Sequence, residues 1–356
     1  MKHVLVYGMT NNPGGIEAYL MGLFRRVHGK TVHFDFVSDF PTVSGGEELH
    51  AAGARIHLIP AKSRDLWGHL AGMWRILKEH PEYKTVYFNI LDAGAAVTML
   101  PVVALGRKIV VHSHNGSTDK VRLHRLCRPL LKRMTKYRVA CSGIAAEFMF
   151  GSESHALVIP NAIDAEQHRF NESLRQQKRQ ELELVNRPVI LHVGRISRQK
   201  NPLGLLDIFY AVHRRRPDAV LLSVGSGEMW GEFTAAIAEK GLQNAVKCLG
   251  VRGDVAEILQ AADVFLLPSL YEGLPISLLE AQAAGLPCVV SDVITREATV
   301  TGLVRPVSLK AAPEIWAKNV LEALEQPRRD TLEELTAAGF DISCCEEFDR
   351  KLLDFF

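Results

Sequence analysis

The sequence predicts an α/β protein of two doubly wound domains, each a parallel sheet covered by helices, with the two sheets facing across a cleft. Three observations carry this expectation. Short runs rich in Val, Ile, Leu and Phe recur without polar alternation, the pattern of strands buried on both faces. Each run is followed by a Gly- or Pro-bearing turn and then a helical pattern, so strand and helix alternate. The rhythm breaks once, over the polar stretch 164–187, and restarts at Val189, which divides the 356 residues into two parts of ordinary domain size.

In the first part, residues 3–7 read as a buried strand, and Gly14-Gly15 opens a helix over 16–27. Further strands are expected at 32–37, 55–59, 85–88, 108–112 and 138–140. A linker is expected near 162–170. The second part gives strands at 189–194, 219–224, 245–249, 264–267 and 287–291. The boundaries that follow are a first domain over 1–165 and a second over 166–339. In open sheets of this kind, ligands bind where the strand C-termini and their loops converge.

Composition narrows the class. Hydrophobic residues at 47% and charged residues at 23% describe a globular protein rather than a disordered one. A net charge of +2 gives no electrostatic footprint for nucleic acid, and no aromatic interleaving accompanies the basic residues. Cys127, Cys141, Cys248, Cys288, Cys344 and Cys345 form no CxxC pair, so neither a disulfide framework nor a zinc site is expected. The apolar run at residues 3–7 is too short for a signal peptide, and no window approaches the ~20 apolar residues of a membrane span. A cytoplasmic protein is therefore expected.

Four groups of residues carry chemistry. The first is 272–280, Glu-Gly-Leu-Pro-Ile-Ser-Leu-Leu-Glu, which follows the strand at 264–267 and opens a helix. Pro275 suits the first helical turn, where its missing N–H has no intrahelical partner. The backbone N–H groups from Gly273 and Leu274 onward, with the helix dipole, suit a diphosphate. Glu280, about a turn in, is placed to accept from a ribose diol, and Glu272 to meet the hydroxyls of a sugar. The second group is 194–201, Gly-Arg-Ile-Ser-Arg-Gln-Lys-Asn, in which Arg195 and Lys200 can hold a diphosphate and stabilise charge on a leaving group. The third is His112-Ser113-His114-Asn115-Gly116, at the end of a first-domain strand. A His or Asn there can bind sugar hydroxyls or assist proton transfer, while one core and one exposed His is the plain alternative. The fourth is Gly14-Gly15, either a close approach to phosphate or a tight turn. Gly225-Ser226-Gly227 lacks the third glycine of a dinucleotide fingerprint and reads as a turn lining the same cleft.

With 160–164, Pro-Asn-Ala-Ile-Asp, these motifs resemble, in order and spacing, the retaining glycosyltransferases of family 4, which have the GT-B fold of two Rossmann-like domains. Within that family the chain is similar to bacterial enzymes of exopolysaccharide and capsule synthesis. That similarity rests on 112–115, on Ala140-Cys141-Ser142, on 249–255 and on 280–288. The resemblance implies that Arg195 and Lys200 bind the donor diphosphate with the amides of Gly273 and Leu274. It places Gly15, Gly194 and Pro275 in the donor site, Glu280 on the ribose and Glu272 on the donor sugar. It places His114 near the reacting centre, with His112 as the alternative and Asn115 beside the acceptor. It also implies that the segment 340–356 packs back on the first domain. Ala162 departs from the family, where Gly is usual after Pro-Asn.

The implied activity is retaining transfer of a hexose or N-acetylhexosamine from a nucleotide-diphosphate sugar, by preference a UDP-sugar, to a glycan or lipid-linked acceptor. The alternatives are a sugar-nucleotide epimerase of the same fold and a non-catalytic partner subunit. No Asp-x-Asp pair occurs in the chain, so the reaction is expected to need no metal or other cofactor. The segment 120–138 contains no acidic residue and interleaves apolar with basic positions. It is a candidate for peripheral contact with an anionic membrane, at the inner face of the cytoplasmic membrane. Its plain alternative is a helix that turns its leucines inward.

Overall fold

The computed structural model describes residues 1–11, 14–152 and 154–356. The chain divides into two compact units, Met1–Asn161 with Cys345–Phe356, and Ala162–Cys344. In the first unit the strands are β1 (Lys2–Tyr7), β2 (Val32–Ser38), β3 (Ile56–Leu58), β4 (Tyr83–Ile90), β5 (Lys108–Ser113), β6 (Tyr137–Ala140) and β7 (Leu157–Val158). They form one sheet in the order β3-β2-β1-β4-β5-β6-β7, with every pair parallel. In the second unit β8 (Val189–Val193), β9 (Val220–Val224), β10 (Val246–Gly250), β11 (Val264–Leu267), β12 (Cys288–Ser291) and β13 (Val304–Val307) form a second parallel sheet. Its order is β10-β9-β8-β11-β12-β13. Both orders reverse direction beside the first strand of the unit, and that reversal is where loops diverge and ligands bind.

The apolar runs are explained by burial on both faces. Along β1, Leu5 and Tyr7 enter one core with Val86, Phe88 and Val111, while Val4 and Val6 enter the other with Phe34, Phe36 and Tyr87. Two strands lay beyond the sequence reading. β7 has only two residues, and β13 contains Arg305 and Pro306, residues that suit an edge and break an apolar run.

The polar stretch 164–187 is folded, and helix Ala165–His168 lies within the linker expected near 162–170. It holds helices Ala165–His168 and Glu172–Glu181 within the second unit. Its polar composition reflects docking by ions. The buried Lys178 ammonium meets Asp254 at 2.9 Å and Glu181 and Glu257 at 2.7 Å. Arg175 pairs with Asp263 at 2.6 Å and donates to the Ala262 carbonyl at 2.7 Å.

At the end of the chain, helix Cys345–Leu353 lies in the first unit. Leu352 and Phe356 complete the core that holds Val4, Phe34 and Tyr87, and Arg26 grips Asp349 with two hydrogen bonds of 2.6 and 3.0 Å. Leu352→Ala leaves a cavity at a fully buried position and is expected to cost about 2–5 kcal/mol. Urea unfolding followed by circular dichroism checks this; a change below about 1 kcal/mol would show that the terminal helix contributes little to the unit.

Candidate functional site

In the second unit, β8 and β11 are neighbours, so the loops that leave their C-terminal ends meet. The loop after β8 runs through Gly194 and Arg195 into a single helical turn, Arg198–Lys200, and then helix Pro202–His213. Asn201 makes the junction in the left-handed region, φ 55°, and its side chain donates to the Pro268 carbonyl at 3.1 Å. The Leu270 amide donates to the Gln199 carbonyl at 2.8 Å. Gln199 Nε2 donates to the Tyr271 carbonyl at 3.1 Å and approaches Glu272 Oε2 at 3.3 Å. The Lys200 ammonium donates to Glu272 Oε1 at 2.6 Å, with Glu272 nearly enclosed. Gly194 makes room for this, because a Cβ there would press on the Lys200 stem at 3.1–3.4 Å.

The structure thus brings Lys200, Glu272 and Gly194 together. Arg195 turns elsewhere: its guanidinium meets Glu228 at 3.1 Å, and both side chains are more than half exposed. Gly225 and Gly227 line the same loop for steric reasons. A Cβ on Gly225 would collide with the Gly194 carbonyl, and one on Gly227 with the Ile196 carbonyl. Gly225 also has φ 130°, which a side chain disfavours.

Beyond Gly273 and Leu274 the chain enters helix Ile276–Ala283. Pro275 is its N-cap, one position earlier than the sequence suggested, and its carbonyl accepts from the Leu278 amide at 3.1 Å. The helix start carries no acidic residue and no side-chain cap, so its dipole favours an anion there. Glu280 lies a turn further on, 3.8 Å from His168 Nε2. Burial raises its carboxyl pKa and the His168 imidazole opposes that rise.

The first unit has its own reversal between β1 and β4. Gly15 is the first residue of helix Gly15–Val27. The anion at that helix start is the protein's own: Glu17 Oε1 accepts from Thr10 N and Oγ1 at 2.9 and 2.8 Å. His112 ends up fully buried on β5 and His114 nearly so just past it, their rings 4.0 Å apart. The plain reading of one core and one exposed histidine is therefore replaced by two buried rings in contact, tilted 32° to one another. Tyr87 Oη lies 2.6 Å from His112 Nδ1. His114 Nε2 meets Asn89 Oδ1 at 2.9 Å. An amide oxygen only accepts, so Nε2 carries the proton and Nδ1 keeps its lone pair. Burial lowers His114 to about 3 and holds His112 well below its ordinary value, so both are neutral near pH 7. Asn115 follows, also buried.

Sequence reasoning passed over Gln199, Asn89, Glu17 and His168. Asn89 is the register partner of His112 across β4 and β5, a relation visible only once the strands are paired. For a metal, the described residues bring one group of three together, His3, His33 and Asp35, at the start of β1 and β2. Asp35 there is committed to the Arg55 amide at 2.6 Å, the Tyr83 hydroxyl at 2.7 Å and His33 at 3.3 Å, and these bonds organise the strand starts.

Comparison with known proteins follows the same division. A family model described as glycosyl transferases group 1 matches residues 187–326, the whole second sheet with both of these loops. The putative glycosyltransferase EpsF of Bacillus subtilis (strain 168) is 30% identical, over 96% of this chain and 93% of its own. The UDP-Gal:alpha-D-GlcNAc-diphosphoundecaprenol alpha-1,3-galactosyltransferase of Escherichia coli is 39% identical over 63% of this chain and 61% of that protein. The crystal structure of Anabaena HepE in complex with UDP-glucose matches with a TM-score of 0.81 over 99% of this chain and 100% of that one. At 20% identity this shows a shared fold.

The buried imidazoles predict acid sensitivity. His192 on β8 is fully enclosed, and burial first, then Lys200, lowers it to about 3. His192 and His114 stay neutral in the folded chain above about pH 3 yet take up protons in the unfolded chain below about 6.5. The unfolded state then binds more protons, so stability falls with pH below 6.5, by about 2 kcal/mol per imidazole at pH 5. Melting curves from pH 7 to 5 should show a falling Tm, with a shallower fall in His192→Leu; an unchanged slope would remove His192 as a cause.

Proposed function

The chain belongs to the group 1 glycosyl transferases, with the GT-B fold, and we propose that its second unit binds the donor, a nucleoside-diphosphate sugar. The observation that carries this reading is the joining of the loops after β8 and β11 by Lys200 and Glu272 beside the uncapped start of helix Ile276–Ala283. The Lys200 ammonium and the helix N–H groups meet the diphosphate. Glu272 accepts from hydroxyls of the sugar, and Glu280 from the ribose diol. Arg195 can swing from its exposed partner Glu228 to the phosphates, since exposed ion pairs of this kind hold weakly.

In the transfer, the bond from the sugar C1 to the diphosphate oxygen breaks, and its electron pair leaves with the diphosphate. An acceptor hydroxyl oxygen forms the new bond to C1, and its proton passes to the leaving diphosphate. Lys200 and the helix start stabilise the charge that develops there, so the step needs no metal; that the acceptor attacks from the leaving group's own face and keeps the anomeric configuration is what the family resemblance implies. His114, neutral and with Nδ1 unprotonated, accepts a hydrogen bond from the acceptor; Asn115 and His112 shape that side. Support for a UDP-sugar and for a glycan or lipid-linked acceptor in exopolysaccharide assembly comes from the relatives. The E. coli protein is named for UDP-Gal and a diphosphoundecaprenol acceptor, and the HepE structure holds UDP-glucose.

Thermal shift with UDP, GDP and ADP tests the donor site. UDP is expected to raise Tm, equally with or without EDTA, and Glu280→Ala and Lys200→Ala to lose most of the rise. No rise with any nucleotide would refute the site, and a rise abolished by EDTA would refute its independence of metal.

The first unit supports contact with an anionic bilayer as well. Among the described residues no helix is long and apolar enough to cross a membrane. Helix Val121–Met134 turns His124, Cys127 and Leu131 inward and has no acidic residue in its sequence. Its other leucines do not turn inward: Leu126 is 79% exposed, and Leu123 and Leu130 are exposed beside Arg122, Arg125 and Arg133. Exposed leucines among basic residues suit an interface of apolar tails and anionic head groups. Flotation with phosphatidylglycerol vesicles should carry the protein, and Leu126→Glu/Arg125→Glu should release it. Absence of flotation in the wild type would exclude the contact.

A further inference from the structure

We infer that His168 is the positioning residue that holds Glu280 in place as an ionised acceptor for the ribose diol. This rests on the donor site proposed above and adds a residue that lies in neither of its motifs. His168 ends the short helix Ala165–His168, and little of it reaches solvent.

Its ring is fixed from its own side of the unit. His168 Nδ1 lies 2.8 Å from the Asp164 carbonyl, which can only accept, so Nδ1 carries a proton. The remaining nitrogen, Nε2, is turned toward Glu280 Oε1 at 3.8 Å. The turn that bears the ring is anchored at both ends. The Ala165 amide donates to Asp341 Oδ2 at 3.0 Å, and Gln260 Nε2 donates to the His168 carbonyl at 3.0 Å. Asp164 also caps the helix by accepting from the Gln167 amide at 3.0 Å. Ring, tautomer and aim are therefore set before any ligand arrives.

Glu280 needs such a partner. Its side chain is 21% exposed, and burial of the rest works against its charged form. A ribose diol offers two O–H donors. A carboxylate accepts both, whereas the neutral acid spends one oxygen as a donor and can repel one of them. With Nδ1 already carrying a proton, Nε2 can donate toward the carboxylate only in the imidazolium form, and it is that cation's charge that opposes the effect of burial and restrains the side chain's rotation. Helix Ala165–His168 packs against helix Ile276–Ala283, so His168 reaches Glu280 from outside the donor cradle and leaves the other oxygen, Oε2, for the diol.

The test separates positioning from folding. Calorimetric titration with UDP and 2′-deoxy-UDP compares wild type, Glu280→Ala, His168→Asn and His168→Gln, with melting curves as the fold control. Asparagine can keep the bond to the Asp164 carbonyl but has no group at Nε2; glutamine can still donate toward Glu280. In the wild type UDP should bind more tightly than its deoxy analogue. His168→Asn should weaken UDP by roughly five- to thirty-fold and bring the two ligands close to equal affinity, and His168→Gln should recover part of the difference. Equal weakening of both ligands, or wild-type affinity in His168→Asn, would overturn the inference while leaving the donor site standing if Glu280→Ala still abolishes the discrimination. A Glu280→Ala protein that discriminates like the wild type would take both down.

Discussion

In the second unit β8 and β11 lie side by side although two strands and several helices separate them in the chain. That adjacency is the constraint on which the candidate site depends. The crossovers lay β9 and β10 to one side of β8, and the chain must return to place β11 on the other. The loops after β8 and β11 then leave the same edge at the same point. Backbone bonds between Leu270 and Gln199, and from the Asn201 side chain to Pro268, lock them before any charge is considered. Asn201 serves twice: it tolerates the left-handed turn between Arg198–Lys200 and the next helix, and it spends its amide on the neighbouring strand's loop.

On that frame the ion pair of Lys200 and Glu272 has a consequence for how variants behave. The two charges are within 2.6 Å and poorly exposed, so each is the other's main partner. Removing the carboxylate leaves an ammonium without compensation, which costs stability and at the same time strengthens the pull on any phosphate. Removing the ammonium leaves Glu272 repelling the diphosphate. The two truncations are therefore not equivalent deletions, and their effects on nucleotide affinity have opposite electrostatic components. Only the double variant, set against both singles, isolates the pair.

The strands were legible because burial on both faces leaves an unbroken apolar run, as in 264–267, where reading and structure coincide. The motifs at 194–201 and 272–280 were legible because glycine, basic residues and carboxylates sit close together in sequence. What escaped was held by distance or by charge. Helix Glu172–Glu181 docks through Lys178 and Arg175, so its inner face reads as solvent-exposed. β13 contains a proline and an arginine and looks like a loop. Gln199 stood inside a recognised motif, yet its partners Tyr271 and Glu272 arrive from another loop. His168 is far from Glu280 in sequence, and nothing in a lone histidine on a polar turn announces a buried carboxylate across the fold.

The two units share the first six positions of their strand order, counted from the unit's first strand, yet their electrostatics at the reversal differ. In the first unit the helix after β1 begins with Glu17, and the turn after β4 is capped by Asp92, whose side chain accepts from the Gly94 amide at 2.8 Å. Both helix starts are already matched by carboxylates, and a diphosphate brought there would meet like charge. In the second unit neither helix Pro202–His213 nor helix Ile276–Ala283 has an acidic residue in its first turn. The nearby carboxylate, Glu272, is neutralised by Lys200. A dianionic group therefore meets helix starts without an acidic residue in the second unit and carboxylate-matched starts in the first. The buried imidazoles of His112 and His114, tilted against one another and neutral, complete the contrast: they add no charge to the first unit's reversal.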